Sequence, residues 1–182
     1  MPNTPPHRSS ASGISFPQFA PVLARWREPS LPTALRDVPP HITLLGPWRP
    51  APVAPDDIVS VSEALAGIES FRLTFRSVER FASHGVLYLR PEPDALVREM
   101  IRRLVRAFPE TPPYGGTVAN PVPHLTVAVA APANDLDGLH AEVMRDLTPH
   151  LPLEALVREI TIAEQQEDGG WTAVHLLPLV VR

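Results

Sequence analysis

Two stretches of this chain carry side chains that move protons at neutral pH: Pro40-His41-Ile42-Thr43-Leu44 and Pro123-His124-Leu125-Thr126-Val127. Each is a proline, a histidine, an aliphatic residue, a threonine and a second aliphatic residue. Successive side chains of an extended strand point to opposite faces. Each stretch therefore sets an imidazole and a hydroxyl on one face and an apolar anchor on the other. The ordinary pKa of histidine lies near neutrality, so of two facing imidazoles one can remove a proton while the other delivers one. Two hydroxyls beside them suit the non-bridging oxygens of a phosphoryl group. The combination fits phosphodiester cleavage, with one histidine activating water and the other protonating a departing ribose oxygen. A single His-x-Thr carries little weight in a chain with 7 histidines; the repetition is what matters.

The elements around the two stretches repeat as well. Residues 1–12 are rich in proline and serine and are expected to form a loose tail, leaving 13–182 as one catalytic domain. Ile14 to Phe16 reads as a short first strand. Phe19, Val22, Leu23 and Trp26 then fall at helical spacing in a segment ended by Pro29 and Pro32. The first motif strand runs from His41 to Leu45 and stops at Gly46-Pro47. A helix over about Pro55 to Ile68 follows, then a long strand Phe71 to Phe81, a turn at Ser83-His84-Gly85 and a return strand Val86 to Arg90. Asp94 to Phe108 has the clearest helical stripe, with Arg98, Arg102, Arg103 and Arg106 facing away from it.

The loop Pro109 to Asn120 delivers the second motif strand, His124 to Ala130. Asn134 is expected to cap a helix to about Leu147. One strand near Leu153 to Ala163, a turn at Asp168-Gly169-Gly170 and a last strand Thr172 to Leu177 complete the chain. After each motif the order is the same: motif strand, helix, long strand, glycine-containing turn, return strand. This reads as an internal duplication. Two such α+β units related by a pseudo-twofold axis are expected to set the two His/Thr faces across a shared cleft.

Composition removes competing chemistries. The chain of 182 residues is 44% hydrophobic, enough for a substantial core. It has no cysteine, so thiolate catalysis and cysteine-bound zinc are excluded. All 16 basic residues are arginine, which excludes a P-loop lysine, a Schiff base and a lysine–nucleotide intermediate. A net charge of −4 argues against coating long nucleic acid. No stretch resembles a membrane span, and the first residues lack the apolar core of a signal peptide, so the expected location is the cytoplasm.

The residues from Pro40 to Trp48, those from Pro123 to Ala128 and the loop Pro112-Pro113-Tyr114-Gly115-Gly116 resemble the 2H phosphoesterases, specifically their 2′,5′ RNA ligase-like branch. The resemblance covers about Ile14 to Leu179. It implies an α+β, bilobal fold of two pseudo-twofold-related lobes of antiparallel sheet plus helices around a central cleft. It also implies metal-free, cofactor-free opening of 2′,3′-cyclic phosphates on RNA ends or nucleotides; some members join RNA ends through a 2′,5′ linkage without ATP. By position, His41 and His124 would be the catalytic pair, and Thr43 and Thr126 the phosphate ligands. Several relatives carry a basic residue just after the second motif, where this chain has Ala128-Val129-Ala130, which argues against strong RNA binding.

Three further residues are candidate substrate contacts: Tyr114 for stacking on a base, and Trp48 and Arg49 for the cleft rim. The expected partner is a small cyclic nucleotide or an RNA terminus, with no DNA, no membrane and a monomeric state. The alternative of another class is a nucleotide- or RNA-end-binding module that keeps the fold without turnover. A histidine-based metal site ranks last, because neither closely spaced histidines nor acidic clusters are evident.

Overall fold

The structure, a computed structural model, describes residues 8–35, 37–118, 120–131 and 135–181. Its strands are β1 (Ser10–Ser15), β2 (His41–Leu45), β3 (Phe71–Phe81), β4 (Val86–Glu92), β5 (Leu125–Val129), β6 (Leu153–Val157), β7 (Glu159–Gln165) and β8 (Trp171–Pro178). Four α-helices connect them: α1 (Ala20–Ser30), α2 (Pro55–Ala64), α3 (Ala95–Ala107) and α4 (Leu136–Leu147). The strands form one eight-stranded sheet in the order β6-β3-β4-β5-β2-β1-β7-β8. Each neighbouring pair is antiparallel. The fold is α+β.

The motif strands β2 and β5 meet at the centre, with Ile42 opposite Leu125. The order is symmetric about that pair, with β4, β3 and β6 on one side and β1, β7 and β8 on the other. The run β1-α1-β2-α2-β3 thus matches β4-α3-β5-α4-β7, with β6 inserted between α4 and β7. Both strands flanking the centre carry a register break against their motif strand, between Ser12 and Gly13 in β1 and between Leu87 and Tyr88 in β4.

This corrects the expected grouping. The hairpin that follows the His41 motif, β3-β4, lies beside β5, and the hairpin that follows the His124 motif, β7-β8, lies on the β2 side. Both hydrogen-bonding edges of β2 are already taken, by β1 and β5, so the chain must cross over through α2 before β3 finds a free edge. The return strands do not correspond either: β4 sits against a motif strand while β8 is at the sheet edge.

Alternation decides which face of the centre is buried. Ile42 and Leu125 are fully buried, as are their face-mates Leu44 and Val127. Helix α1 packs on β5 and α3 on β2, so each helix covers the motif strand of the opposite half. In α3 the buried residues Val97, Met100, Ile101 and Leu104 fall at i, i+3, i+4 and i+7. Its outer face is tied by Asp94–Arg98 and Glu99–Arg103 pairs at i,i+4 spacing, and by Arg102 on Glu99. Phe75 of β3 meets Phe16 and Phe19 edge-on, joining the segment before α1 to the sheet.

Several boundaries differ from expectation. The loose tail does not extend to Ser12: β1 begins at Ser10, and Ser10 and Ser12 are buried because β7 and β2 pair with this strand on both sides. Helix α1 continues through Pro29 to Ser30 before Leu31 turns extended. The single strand expected near Leu153 to Ala163 is two, because β6 pairs with β3 at one end of the sheet and β7 with β1 near the other. Asn134, expected as a cap, lies outside the described residues; the Asp135 side chain accepts from the Asp137 N–H and caps α4.

Candidate active site

With Ile42 opposite Leu125, the antiparallel register sets His41 across from Thr126 and Thr43 across from His124. All four side chains stand on the face away from the helices. Each of the four is partly exposed, whereas the residues between them are buried. The two motifs therefore make one pseudo-symmetric patch of two imidazoles and two hydroxyls.

The two imidazoles are held in the same way. His41 Nδ1 lies 2.9 Å from the Pro39 carbonyl and His124 Nδ1 lies 2.8 Å from the Val122 carbonyl. A carbonyl oxygen only accepts, so in both rings Nδ1 carries the hydrogen and donates it. In the neutral ring Nε2 is then the lone-pair nitrogen, and among the described residues neither Nε2 is hydrogen-bonded. The proline just before each histidine has no N–H, and it delivers the backbone into the strand with the histidine at its start. Neither the Thr43 nor the Thr126 hydroxyl is engaged by protein groups among the described residues.

Burial pushes the pKa of both imidazoles below the ordinary histidine value, against the opposing effect of the carbonyl each one faces. His41 has two further causes in the same direction, the charges of Arg27 and of His124. A proton on His124 thus opposes a proton on His41.

Arg27 was not among the residues singled out by the sequence. It is 5% exposed, on the buried side of α1. Its Nη1 donates to the Thr126 carbonyl at 2.6 Å and its Nη2 to the Val38 carbonyl at 3.1 Å. One guanidinium thus ties β5 to the segment that leads into His41. The signal was its spacing: Arg27 falls four residues after Leu23, inside the apolar stripe of α1.

Phe81 and Tyr88 were also missed. Both rings meet His124 edge-on, with centroids 5.0 and 5.6 Å away, and they stack on each other at 4.2 Å. Tyr88 O–H donates to Glu79, and burial together with that carboxylate pushes its pKa up to about 12. These neighbours come from β3 and β4, whose pairing beside β5 is a property of the tertiary fold.

Two cavities open on this face. One, of about 350 Å³, is lined by His41 and Thr43 together with Leu35, Val38, Tyr114 and Trp171. The other, of about 260 Å³, is lined by His124 with Phe81, His84, Asn120 and Tyr114. The histidines thus do not line a single cavity; they line two that share Tyr114 as a wall. Tyr114 has φ of 53°, a left-handed conformation that is uncommon outside glycine, and its N–H bonds the Gly46 carbonyl at the end of β2. Glycines on its C-terminal side, Gly115 and Gly116, also have positive φ, so a run of left-handed residues projects the ring between the two cavities.

Trp48 and Arg49 are not at the rim. The Trp48 N–H donates to the Ser10 carbonyl and the Ser10 N–H to the Arg49 carbonyl, so the chain beyond β2 stays fastened to the start of β1. Trp48 is 5% exposed and packs edge-on against Phe108. Arg49 lies over Phe108 and is paired with Asp57 and Glu110. Neither residue lines either cavity. His140 is also outside both; its Nε2 donates to the Val78 carbonyl.

Among the described residues no helix is long and apolar enough to cross a membrane. No group of three or more His, Cys, Asp or Glu is placed to hold a metal ion among them.

Comparison with known proteins supports the same reading of the fold. The profile of the 2′-5′ RNA ligase superfamily matches residues 16–169. No curated protein sequence matches the chain. Among solved structures, TT0787 of Thermus thermophilus is similar with a TM-score of 0.62 and 18% identity, covering 94% of this chain and 97% of that one. E. coli LigT complexed with NADP+ is similar with a TM-score of 0.59 and 17% identity, covering 96% of this chain and 98% of that one. A structure described as a phosphoesterase has a TM-score of 0.58 and 16% identity, with 96% and 99% covered.

Proposed function

The chain belongs to the 2′-5′ RNA ligase superfamily, and from that premise we propose that its phosphodiesterase-type chemistry is the metal-independent opening of 2′,3′-cyclic phosphates. The carrying observation is the matched state of the two imidazoles: each is anchored through Nδ1 to a carbonyl two residues back, leaving two Nε2 atoms and two hydroxyls on one face. In the proposed step water attacks phosphorus and gives its proton to the neutral imidazole. The bond from phosphorus to O3′ breaks, and O3′ takes the proton of the other imidazole. The product is a 2′-phosphate. The Thr43 and Thr126 hydroxyls donate to the non-bridging oxygens, where charge builds in the transition state.

A 5′-hydroxyl in place of water gives a 2′,5′ linkage by the same step and needs no ATP. DNA has no 2′-hydroxyl and cannot form the cyclic phosphate, so it is not a substrate. Structures of E. coli LigT with 3′-AMP and with ATP support a small nucleotide as the ligand class here.

The test is a panel of nucleoside 2′,3′-cyclic phosphates and an oligonucleotide ending in one, incubated with and without EDTA. Phosphorus NMR then distinguishes 2′- from 3′-phosphate product. Turnover to the 2′-phosphate in both conditions is expected. Saturable binding of these compounds with no product from any of them would replace this reading with the binding-module one.

A further inference from the structure

We propose that the cavity beside His41 seats the nucleobase of the substrate, and that Trp171 is the wall on which the base stacks. This deepens the proposed function and rests on it.

Three features of the cavity carry the assignment. Its volume, about 350 Å³, lies in the range of small-ligand sites, and it opens directly beside His41 and Thr43. Its floor is made of small residues: Gly13 of β1 lies opposite Thr43 on one side and Thr161 of β7 on the other, and Ala11 lies opposite Ala163. Its walls are aromatic and aliphatic, with Tyr114 on one side, Trp171 at the start of β8, and Leu35 and Val38 above. Among the described residues no acidic or basic side chain other than His41 lines it.

A floor without large side chains, bounded by aromatic rings and carrying no charge but His41, admits a planar uncharged ring. A second phosphate would find no cation there other than His41. Stacking on an aromatic ring holds any base, since every base has a π-face. The polar side chains at the floor are hydroxyls such as Ser15 and Thr161, which act as both donor and acceptor. The seat therefore holds a base by its face and does not read the Watson–Crick edge.

Trp171 also supplies its own reporter. Of the three tryptophans, Trp26 and Trp48 are 9% and 5% exposed in the core, and Trp171 alone is partly exposed. Titration of adenosine 2′-monophosphate is expected to quench the emission saturably in the wild type and not in Trp171→Phe. For turnover, Trp171→Ala is expected to raise KM for adenosine 2′,3′-cyclic phosphate about tenfold. The base-free analogue, 1-O-methylribose 2′,3′-cyclic phosphate, should change by less than about twofold, since it has no ring to stack. Trp171→Phe keeps a ring and should retain most of the affinity.

Equal losses on the nucleotide and the base-free analogue, or no quenching in the wild type, overturn the proposal. Quenching that depends on Trp171 with no turnover of any cyclic phosphate leaves the base seat standing and removes the catalytic reading instead.

Discussion

Arg27 donates through Nη1 to the Thr126 carbonyl across 2.6 Å, a charged side chain buried beneath the face that carries both histidines. Its second bond, to Val38, holds the segment whose next residue, Pro39, accepts from His41. The charge also opposes protonation of His41. In Arg27→Met the His41 titration midpoint, followed by NMR of the imidazole carbon-bound protons, is expected to rise. It should stay below 6.5, because burial is the larger cause and is unchanged. The same variant removes the guanidinium that bridges the Thr126 and Val38 carbonyls, at a cost of about 1–3 kcal/mol measurable by urea unfolding. An unmoved His41 midpoint in a folded variant contradicts the coupling.

Removing either histidine removes one of the two proton transfers. His41→Ala and His124→Ala are each expected to lower kcat on a 2′,3′-cyclic nucleotide by about 10²–10⁴-fold. The double variant should be little worse than either single one, because the two groups act in one step. Thr43→Val and Thr126→Val keep the strand and its volume but lose the hydroxyl, and each should cost about 10²-fold in kcat with a smaller change in KM. Retention of full activity in either histidine variant, measured in steady state, sinks the acid–base assignment.

The pH dependence follows from burial. Both imidazoles have pKa values lowered from 6.5, and the active form holds one proton between them. The profile of kcat/KM reports the free enzyme, so its optimum should lie below about pH 6.5, the ordinary histidine value. An optimum about one unit or more above that value is incompatible with lowered pKa values. Stability carries the matching sign: below the ordinary value the unfolded chain binds more protons than the folded one. Stability is therefore full above the ordinary histidine value and is lost as pH falls from it toward the lowered folded values.

How much of this was legible in the sequence depends on what kind of interaction was being read. Alternation along His41 to Leu45 and along Leu125 to Val129 is local, so the shared face of each imidazole and hydroxyl followed from spacing alone. The stripe of α3 was legible for the same reason. Which strands lie together was not, because β3 and β4 join β5 through contacts distant in sequence, and no pattern within β2 says that its edges are already taken. Phe81 and Tyr88 became neighbours of His124 only through that pairing. Trp48 and Arg49 misled because they follow the first motif directly, whereas backbone bonds to Ser10 hold them beside β1 and away from the face that His41 occupies.

Their true surroundings make Trp48 and Arg49 informative controls. Trp48→Ala removes a buried ring packed against Phe108 and is expected to cost about 3–5 kcal/mol of stability. Arg49→Ala breaks partly exposed pairs with Asp57 and Glu110, and its stability cost should stay near about 1 kcal/mol or less. At temperatures where both variants remain folded, KM for a cyclic nucleotide should be unchanged in each. A KM rise of about tenfold in folded Arg49→Ala, the size of one lost ion-paired contact to substrate, would return that residue to the site.

Gly13 offers a test of how tightly the sheet positions the first motif. It lies opposite Thr43 in the register of β1 with β2, next to the register break, and it also forms part of the floor of the His41 cavity. A Cβ built at this position meets the Ile42 carbonyl oxygen at 2.7 Å, a backbone atom of the motif strand that no rotamer change can move aside. Gly13→Ala must therefore push β1 away from β2 or tilt β2 itself. Either shift moves His41 and Thr43 relative to His124 and Thr126, which are held from the opposite side by β4. Strain of this kind costs about 1–3 kcal/mol, and a displacement near ~1 Å at a site that depends on alignment is worth about 10²-fold in rate. The expected outcome is a fall in kcat near that size with a lower thermal midpoint. Gly46→Ala provides the comparison: there the close atoms are side-chain carbons of Ala11 and Thr43 at 3.1 and 3.3 Å, and the Thr43 rotamer can yield. If Gly13→Ala keeps wild-type kcat while Gly46→Ala loses it, the strand spacing of β1 and β2 does not set the geometry of the histidine pair.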